Sequence, residues 1–300
     1  MGVRKISRYG RMLGFVVAVV ILFFLAQMIS GAMFGFIVSV SQAFMGIELT
    51  PELYNELLAD NMIYIAILGG ILGMLFFWLF FLIRNAVKNQ KDSMLRYCRF
   101  KKASAPTLFF SLLAGVGFYL LFAAIMFFTQ LPQYFPEHQQ LLEPMFRQHV
   151  LISILGLGLV ASLVEEIGFR GLIFNRMRQD LPLVVALILQ AAIFGAMHMN
   201  VLQSSYAFIL GILVGLIYVW TDSLWAPIIM HFAFNTSSAV VVQVLEIEET
   251  ATSMGIFLAA GIVLFILSFA YLYKKRLPEQ ELTGQELWPK SEEEIEETVY

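Results

Sequence analysis

Eight apolar stretches, at 13–40, 61–83, 107–129, 149–169, 181–199, 204–220, 224–245 and 255–273, dominate this 300-residue chain. A helix needs about 20 mostly apolar residues to cross the hydrocarbon core of a bilayer. Inside that core only helices or closed barrels satisfy every backbone polar group. The pattern predicts an all-α polytopic membrane bundle of about eight transmembrane helices. Composition points the same way, with 59% hydrophobic and 14% charged residues, where soluble domains carry about 25% charge. Twenty-eight Phe and 15 Met cannot be hidden in one water-soluble core of this size. A soluble enzyme and a disordered chain are thereby excluded, and the acidic net charge of −3 argues against nucleic acid as a partner. The single cysteine, Cys98, rules out an intramolecular disulfide and a thiolate metal cluster. The first stretch follows Arg4, Lys5, Arg8 and Arg11 like a signal peptide, but it runs about twice as long as a signal h-region and reads as a retained anchor.

The few charges are sorted by segment. Segments 1–12, 84–107, 170–180 and 274–276 hold 17 of the 19 Lys and Arg, whereas 41–60, 130–148 and 246–254 hold nine acidic residues and one basic, Arg147. Lys and Arg accumulate on the cytoplasmic side, so both termini are expected there, in the plasma membrane if the source is bacterial. Residues 277–300 carry eight Glu and one Lys, a solvated acidic tail by composition. The expected organisation is a basic N-terminus (1–12), three spans with their loops (13–147), a core of four spans (148–245), a last span (246–276) and the tail (277–300). Gly31/Gly35, Gly69/Gly73 and Gly211/Gly215 have the small-residue spacing of helix contacts in lipid.

With loops and tail assigned, Glu165 and Glu166 remain inside an apolar stretch, followed by Arg170, in the sequence VEEIGFRG. Ionisable groups within a span are costly and mark functional positions. Glu166 and Arg170 are four apart and share a helical face, so they are expected to pair. Glu165 then points about 100° away, toward something else. Gly168 and Gly171 offer close approach to a neighbouring helix.

Two histidines, His198 and His231, also lie within spans, with Phe194 one turn before the first and Asn235 one turn after the second. His138 and His149 fall in or beside an outer loop and read as surface residues. Glu165 and His198 each stand about 16 residues, or roughly 24 Å, from the turn at Asp180–Pro182. Asp180 is suited to cap the following helix and Pro182 to its first turn. His231 rises about 12 Å from its own turn near Asp222 and Ser223. If the first hairpin projects by a turn or two, the three groups meet at one depth. A carboxylate beside imidazoles at low dielectric suits water activation, and His231 with Asn235 could stabilise an oxyanion. Zinc held by Glu165, His198 and His231 is the alternative, although no H-E-x-x-H signal is present. The same groups could also serve a proton or ion relay, or stand silent in a scaffold or immunity protein.

The motifs EExxxR at Glu165–Arg170, FxxxH at Phe194–His198 and HxxxN at His231–Asn235, with SLWAPIIMHFAFN around the last, resemble the CAAX prenyl endopeptidase and bacteriocin-processing (CPBP, or Abi) intramembrane protease family. The resemblance covers about 148–242. It implies a helical bundle that cuts membrane-associated peptides near the cytoplasmic face, with C-terminally prenylated or bacteriocin-like substrates among the options. By analogy Glu165 activates water, His198 assists, and His231 with Asn235 stabilises the oxyanion. Glu166, Arg170 and Phe194 support them. Both zinc-dependent and metal-independent mechanisms are associated with the family, so the resemblance leaves the cofactor open. Oligomeric state is not specified.

Overall fold

A computed structural model describes the backbone of residues 2–276 and the side chains from Arg8 onward; the acidic tail lies outside the described residues. These residues form helices and no strand. The eight long apolar elements are α1 (Gly2–Met45), α2 (Met62–Val87), α3 (Ala105–Thr129), α4 (Val150–Arg178), α5 (Leu183–Ala196), α6 (Val201–Thr221), α7 (Trp225–Leu245) and α8 (Ala251–Lys274). Seven have the length and composition to cross a membrane; α5, at 14 residues, does not. At 1.5 Å per residue it spans about 21 Å, against a hydrocarbon core of about 30 Å. The 181–199 stretch is therefore a short helix followed by a tight turn, and that turn carries His198.

Side-chain caps fix several helix starts. Ser104 Oγ accepts from Thr107 N at 3.3 Å to open α3, and Pro106 sits in the first turn where its missing N–H costs nothing. Asn200 Oδ1 accepts from Gln203 N at 3.0 Å to open α6. Thr250 and Ser253 form a reciprocal capping box at the start of α8. The expected cap at Asp180 is not made. Pro182 is itself the cap position of α5, and Asp180 pairs instead with Arg8 of α1 and, at 2.6 Å, with Arg176. Two cations outcompete a single backbone N–H for that carboxylate.

Helix α4 is central, touching α1, α2, α5 and α7, while α8 packs along α3. Every residue from Ile167 to Phe174 is buried. The backbone of α4 widens to i→i+5 bonding over Ile154–Ala161 and again over Ile167–Phe174, and the five residues between, Ser162–Glu166, are α-helical. Such widened turns are rare and concentrate at functional sites. A Cβ added at Gly168 would lie 3.1 Å from the Phe77 ring of α2, the close helix approach anticipated, but Gly171 faces Cys98 of a loop, at 2.7 Å from an added Cβ to Sγ. Gly211 and Gly215 of α6 admit Ala191 and Leu187 of α5, and Gly73 admits Val164 of α4. The Gly31/Gly35 pair behaves differently: Gly31 faces open space and Gly35 meets the Tyr54 ring of the short helix Pro51–Asp60.

At the basic end of the bundle, the loop between α2 and α3 ties α4, α6 and α7 together. Asn175 of α4 donates to the Tyr97 carbonyl (2.9 Å) and to the Tyr218 hydroxyl of α6 (2.7 Å). The Leu224 amide donates to the Arg99 carbonyl at 2.9 Å, and the Ser223 hydroxyl donates to the Lys101 carbonyl at 2.6 Å. Asp222 pairs with Arg99 and Lys101, and the Arg99 and Asp222 side chains are both nearly buried. Burial also pushes the Cys98 thiol up, which keeps it protonated and unreactive. Removing one partner of a buried ion pair costs about 3–5 kcal/mol. Asp222→Ala is therefore expected to lower the thermal midpoint in detergent by many degrees, and an unchanged midpoint would show that Arg99–Asp222 is not holding this end.

Candidate active site

The candidate side chains come from α4, α5 with the turn after it, and α7, with α5 and α7 both packed on α4. Glu166 and Arg170 are fully buried and pair at 2.8 Å, four residues apart as the sequence spacing requires. The same carboxylate oxygen, Glu166 Oε1, accepts from His231 Nδ1 at 2.8 Å. Arg170 is held further by a 3.3 Å bond from Nη2 to the Gly211 carbonyl and by the Phe194 ring, 4.5 Å from its guanidinium carbon. A buried ion pair adds little net stability over apolar packing, so this arrangement is explained better by what it orients than by what it stabilises.

What it orients is His231. With Nδ1–H given to Glu166, the ring presents Nε2 to Glu165, whose Oε2 lies 3.7 Å away. That separation is too long for a direct hydrogen bond, so both atoms face a shared space. The Glu165 side chain is 17% exposed while that of Glu166 is 0%. The two adjacent carboxylates thus have different surroundings, one locked into an ion pair and one open.

His198 lies in the turn after α5. Its Nδ1 is 2.9 Å from the Phe194 carbonyl. A carbonyl only accepts, so Nδ1 carries the hydrogen and Nε2 is the open position. Phe194 stands between the two imidazoles, edge-on to His198 at 5.1 Å and to His231 at 5.9 Å. Glu165 and His231 thus face each other, and the Phe194 ring stands between His231 and His198.

Asn235 sits one turn beyond His231, and its amide nitrogen reaches across to α4. Nδ2 donates to the Leu157 carbonyl at 2.8 Å and lies 3.5 Å from Ser162 Oγ. Leu157 belongs to the first widened stretch, so Asn235 fixes the backbone just before the glutamates.

Two contributors escape a search for ionisable groups. Gln190, the one polar side chain of α5, is fully buried and donates to the Gly211 carbonyl at 2.9 Å, the acceptor it shares with Arg170. Its solitude in LVVALILQAAIFGA was the available signal. His138 reads as a surface residue but is only 5% exposed, packed edge-on to Tyr206 of α6 at 5.7 Å. His149 is exposed as expected and caps α4 through the Leu151 amide.

Zinc ligands commonly donate Nδ1–H to a carboxylate or carbonyl, and both site histidines do so. Yet among the described residues no group of three His, Cys, Asp or Glu side chains converges as a metal cage. The donor set does not fit zinc in this arrangement, and the chemistry below is assigned to protein groups alone.

Known proteins resemble the segment that builds this site. Residues 147–237, spanning α4 to most of α7, match the family described as type II CAAX prenyl endopeptidase Rce1-like. This agrees with the resemblance carried by the three motifs, all of which lie inside the matched segment. Over 112 residues the chain is 29% identical to a Bacillus subtilis (strain 168) protein named "Putative membrane peptidase YdiL", a match covering 36% of this chain and 45% of that one. No solved structure matches.

Proposed function

We propose that this protein is an intramembrane endopeptidase that hydrolyses a peptide bond of a membrane-associated substrate with water activated by Glu165. The observation that carries this reading is the buried line Arg170–Glu166–His231, which ends with His231 Nε2 facing an open carboxylate, Glu165, at 3.7 Å. Glu165 accepts the proton of the attacking water, and His198, with Nε2 open, assists that transfer. His231 Nε2, bare in the neutral ring and a donor once protonated, faces the developing oxyanion. Asn235 joins it by turning to the oxyanion the amide hydrogen that otherwise makes the long 3.5 Å bond to Ser162 Oγ. Preorganised donors of this kind are worth about 10²–10³-fold in kcat each. Glu166 and Arg170 hold the His231 tautomer, and Phe194 spaces the two imidazoles.

A proton relay is the weaker reading, because the line terminates in Arg170. A guanidinium stays protonated and cannot pass a proton onward. The surplus of Lys and Arg at one end supports placing that end, and both termini, in the cytoplasm.

Peptide mass spectrometry on membranes holding wild-type protein or Glu165→Gln identifies the substrate. We expect peptides that disappear with the variant, and their termini report whether a prenylated tail, a bacteriocin-like leader or another segment is cut. Identical peptide sets overturn the peptidase reading. The same preparation, stripped by a chelator and shown metal-free by elemental analysis, is expected to retain full activity. Loss that zinc restores would assign Glu165, His198 and His231 to a metal that draws them closer.

A further inference from the structure

We propose that Gln190 of α5 is a positioning residue: it locks α5 onto the α6 carbonyl that also holds Arg170, and so keeps the Nδ1 hydrogen of His231 on Glu166. The inference rests on the peptidase reading, in which His231 must present a bare Nε2 to the site, and its geometry stands apart from that reading. Gln190 is fully buried in the stretch LVVALILQAAIFGA, where no other side chain is polar. Its amide works only as a donor. Nε2 donates to the Leu187 carbonyl of its own helix at 3.0 Å and to the Gly211 carbonyl of α6 at 2.9 Å, while Oε1 has no partner among the described residues. The second bond joins two helices. A hydrogen bond between helices in a bilayer is directional, which contact between small residues is not.

The Gly211 oxygen is where the two networks meet. Arg170 Nη2 of α4 donates to it at 3.3 Å, so side chains of α4 and α5 share one backbone acceptor of α6. A carbonyl oxygen has two lone pairs and can serve both. One turn after Gln190, the Phe194 ring lies 4.5 Å from the Arg170 guanidinium carbon. Both contacts that hold Arg170 from outside α4 therefore depend on how α5 lies on α6. The α6 glycines fit that register: a Cβ at Gly215 would lie 3.0 Å from Gln190 Nε2, and one at Gly211 would lie 3.3 Å from the Phe194 ring. Sequence spacing offered this pair only as a helix contact, yet it makes room for the residues that frame Arg170. Glu166 Oε1 meets Arg170 Nη1 and His231 Nδ1, each at 2.8 Å. A guanidinium that shifts draws the carboxylate with it and weakens the bond that fixes the His231 tautomer.

The test uses the full chain in detergent micelles and nitrogen NMR of isotope-labelled histidine, with the His231 signals assigned by their loss in His231→Gln. Wild-type His231 is expected to carry its hydrogen on Nδ1. In Gln190→Leu, close in size but without a donor, the fraction carrying it on Nε2 should rise about fivefold or more, the worth of one hydrogen bond. Leu187→Ala, a packing change on the same face of α5 that keeps the Leu187 carbonyl, should lower the thermal midpoint without moving the His231 signals. With a farnesylated C-terminal peptide and its unlipidated counterpart as probes, Gln190→Leu should lower kcat about 10-fold with KM little changed. If Gln190→Leu yields no folded protein, Gly215→Ala, whose methyl presses on the Gln190 amide nitrogen, is measured for the same redistribution. An unchanged His231 tautomer, or an equal change in Leu187→Ala, overturns the proposal. If the wild type cuts neither probe, the peptidase reading loses support while the tautomer ratio still decides the role of Gln190.

Discussion

Glu165→Gln leaves a folded, membrane-inserted protein that no longer hydrolyses peptide. The substitution keeps the shape of the side chain and its 17% exposure but removes the open carboxylate that faces His231 Nε2. General-base catalysis contributes about 10²–10⁴-fold, and loss of the base is expected to lower kcat by at least that range. His198→Ala should fall in the same direction, because its open Nε2 disappears with it. Neither change touches the buried ion pair, so thermal midpoints should stay close to wild type. The measurement is turnover by purified protein at matched midpoints. Wild-type turnover in Glu165→Gln would remove the assignment of water activation to this residue.

Arg170→Met unfolds the site from within. Glu166 is fully buried and meets Arg170 Nη1 at 2.8 Å, so removing the guanidinium strands a carboxylate in an apolar interior. Breaking a buried pair in this way costs about 3–5 kcal/mol, a large share of a stability of about 5–15 kcal/mol. The loss should show as a steep fall in midpoint and in the yield of folded protein. Glu166→Gln is expected to be milder, since the amide oxygen can still accept from Arg170 and from His231 Nδ1. Its remaining cost splits between stability and chemistry, because the neutral amide holds the His231 tautomer less firmly. An Arg170→Met protein as stable as wild type would mean that the pair is not what anchors α4 here.

Much of this site was legible before any coordinates. The pairing of Glu166 with Arg170 follows from a four-residue spacing on one helix, and helical periodicity places Glu165 on a different face. The shared location of Phe194 and His198, and of His231 and Asn235, follows from the same one-turn spacing. These are local relations, and local relations survive tertiary packing. The bond between His231 and Glu166, which are 65 residues apart, could not be read this way. Nor could the reach of Asn235 to the Leu157 carbonyl, because it depends on a widened turn that no residue spacing announces.

Misreadings have the same origin. Asp180 is well placed to cap α5, but the capping preference of an Asp is worth about 1 kcal/mol. Arg8 and Arg176 arrive from elsewhere in the fold and take its carboxylate. His138 lies in a polar loop and looks exposed, yet it is buried against Tyr206 of α6. Gln190 was passed over because it bears no charge, although a buried amide must find partners as surely as a buried ion must.

The sequence alone determined the solvent, the helical class and which ionisable residues lie inside the apolar stretches. A bilayer demands long apolar helices, and each charge left inside one needs a reason to be there. Tertiary structure alone decided which carboxylate is locked and which is open, because that depends on Arg170 and His231 converging on Glu166 Oε1. It also decided that an outer-loop histidine is buried against Tyr206 of α6. Contacts between distant segments are set by how the helices pack, which no local spacing encodes.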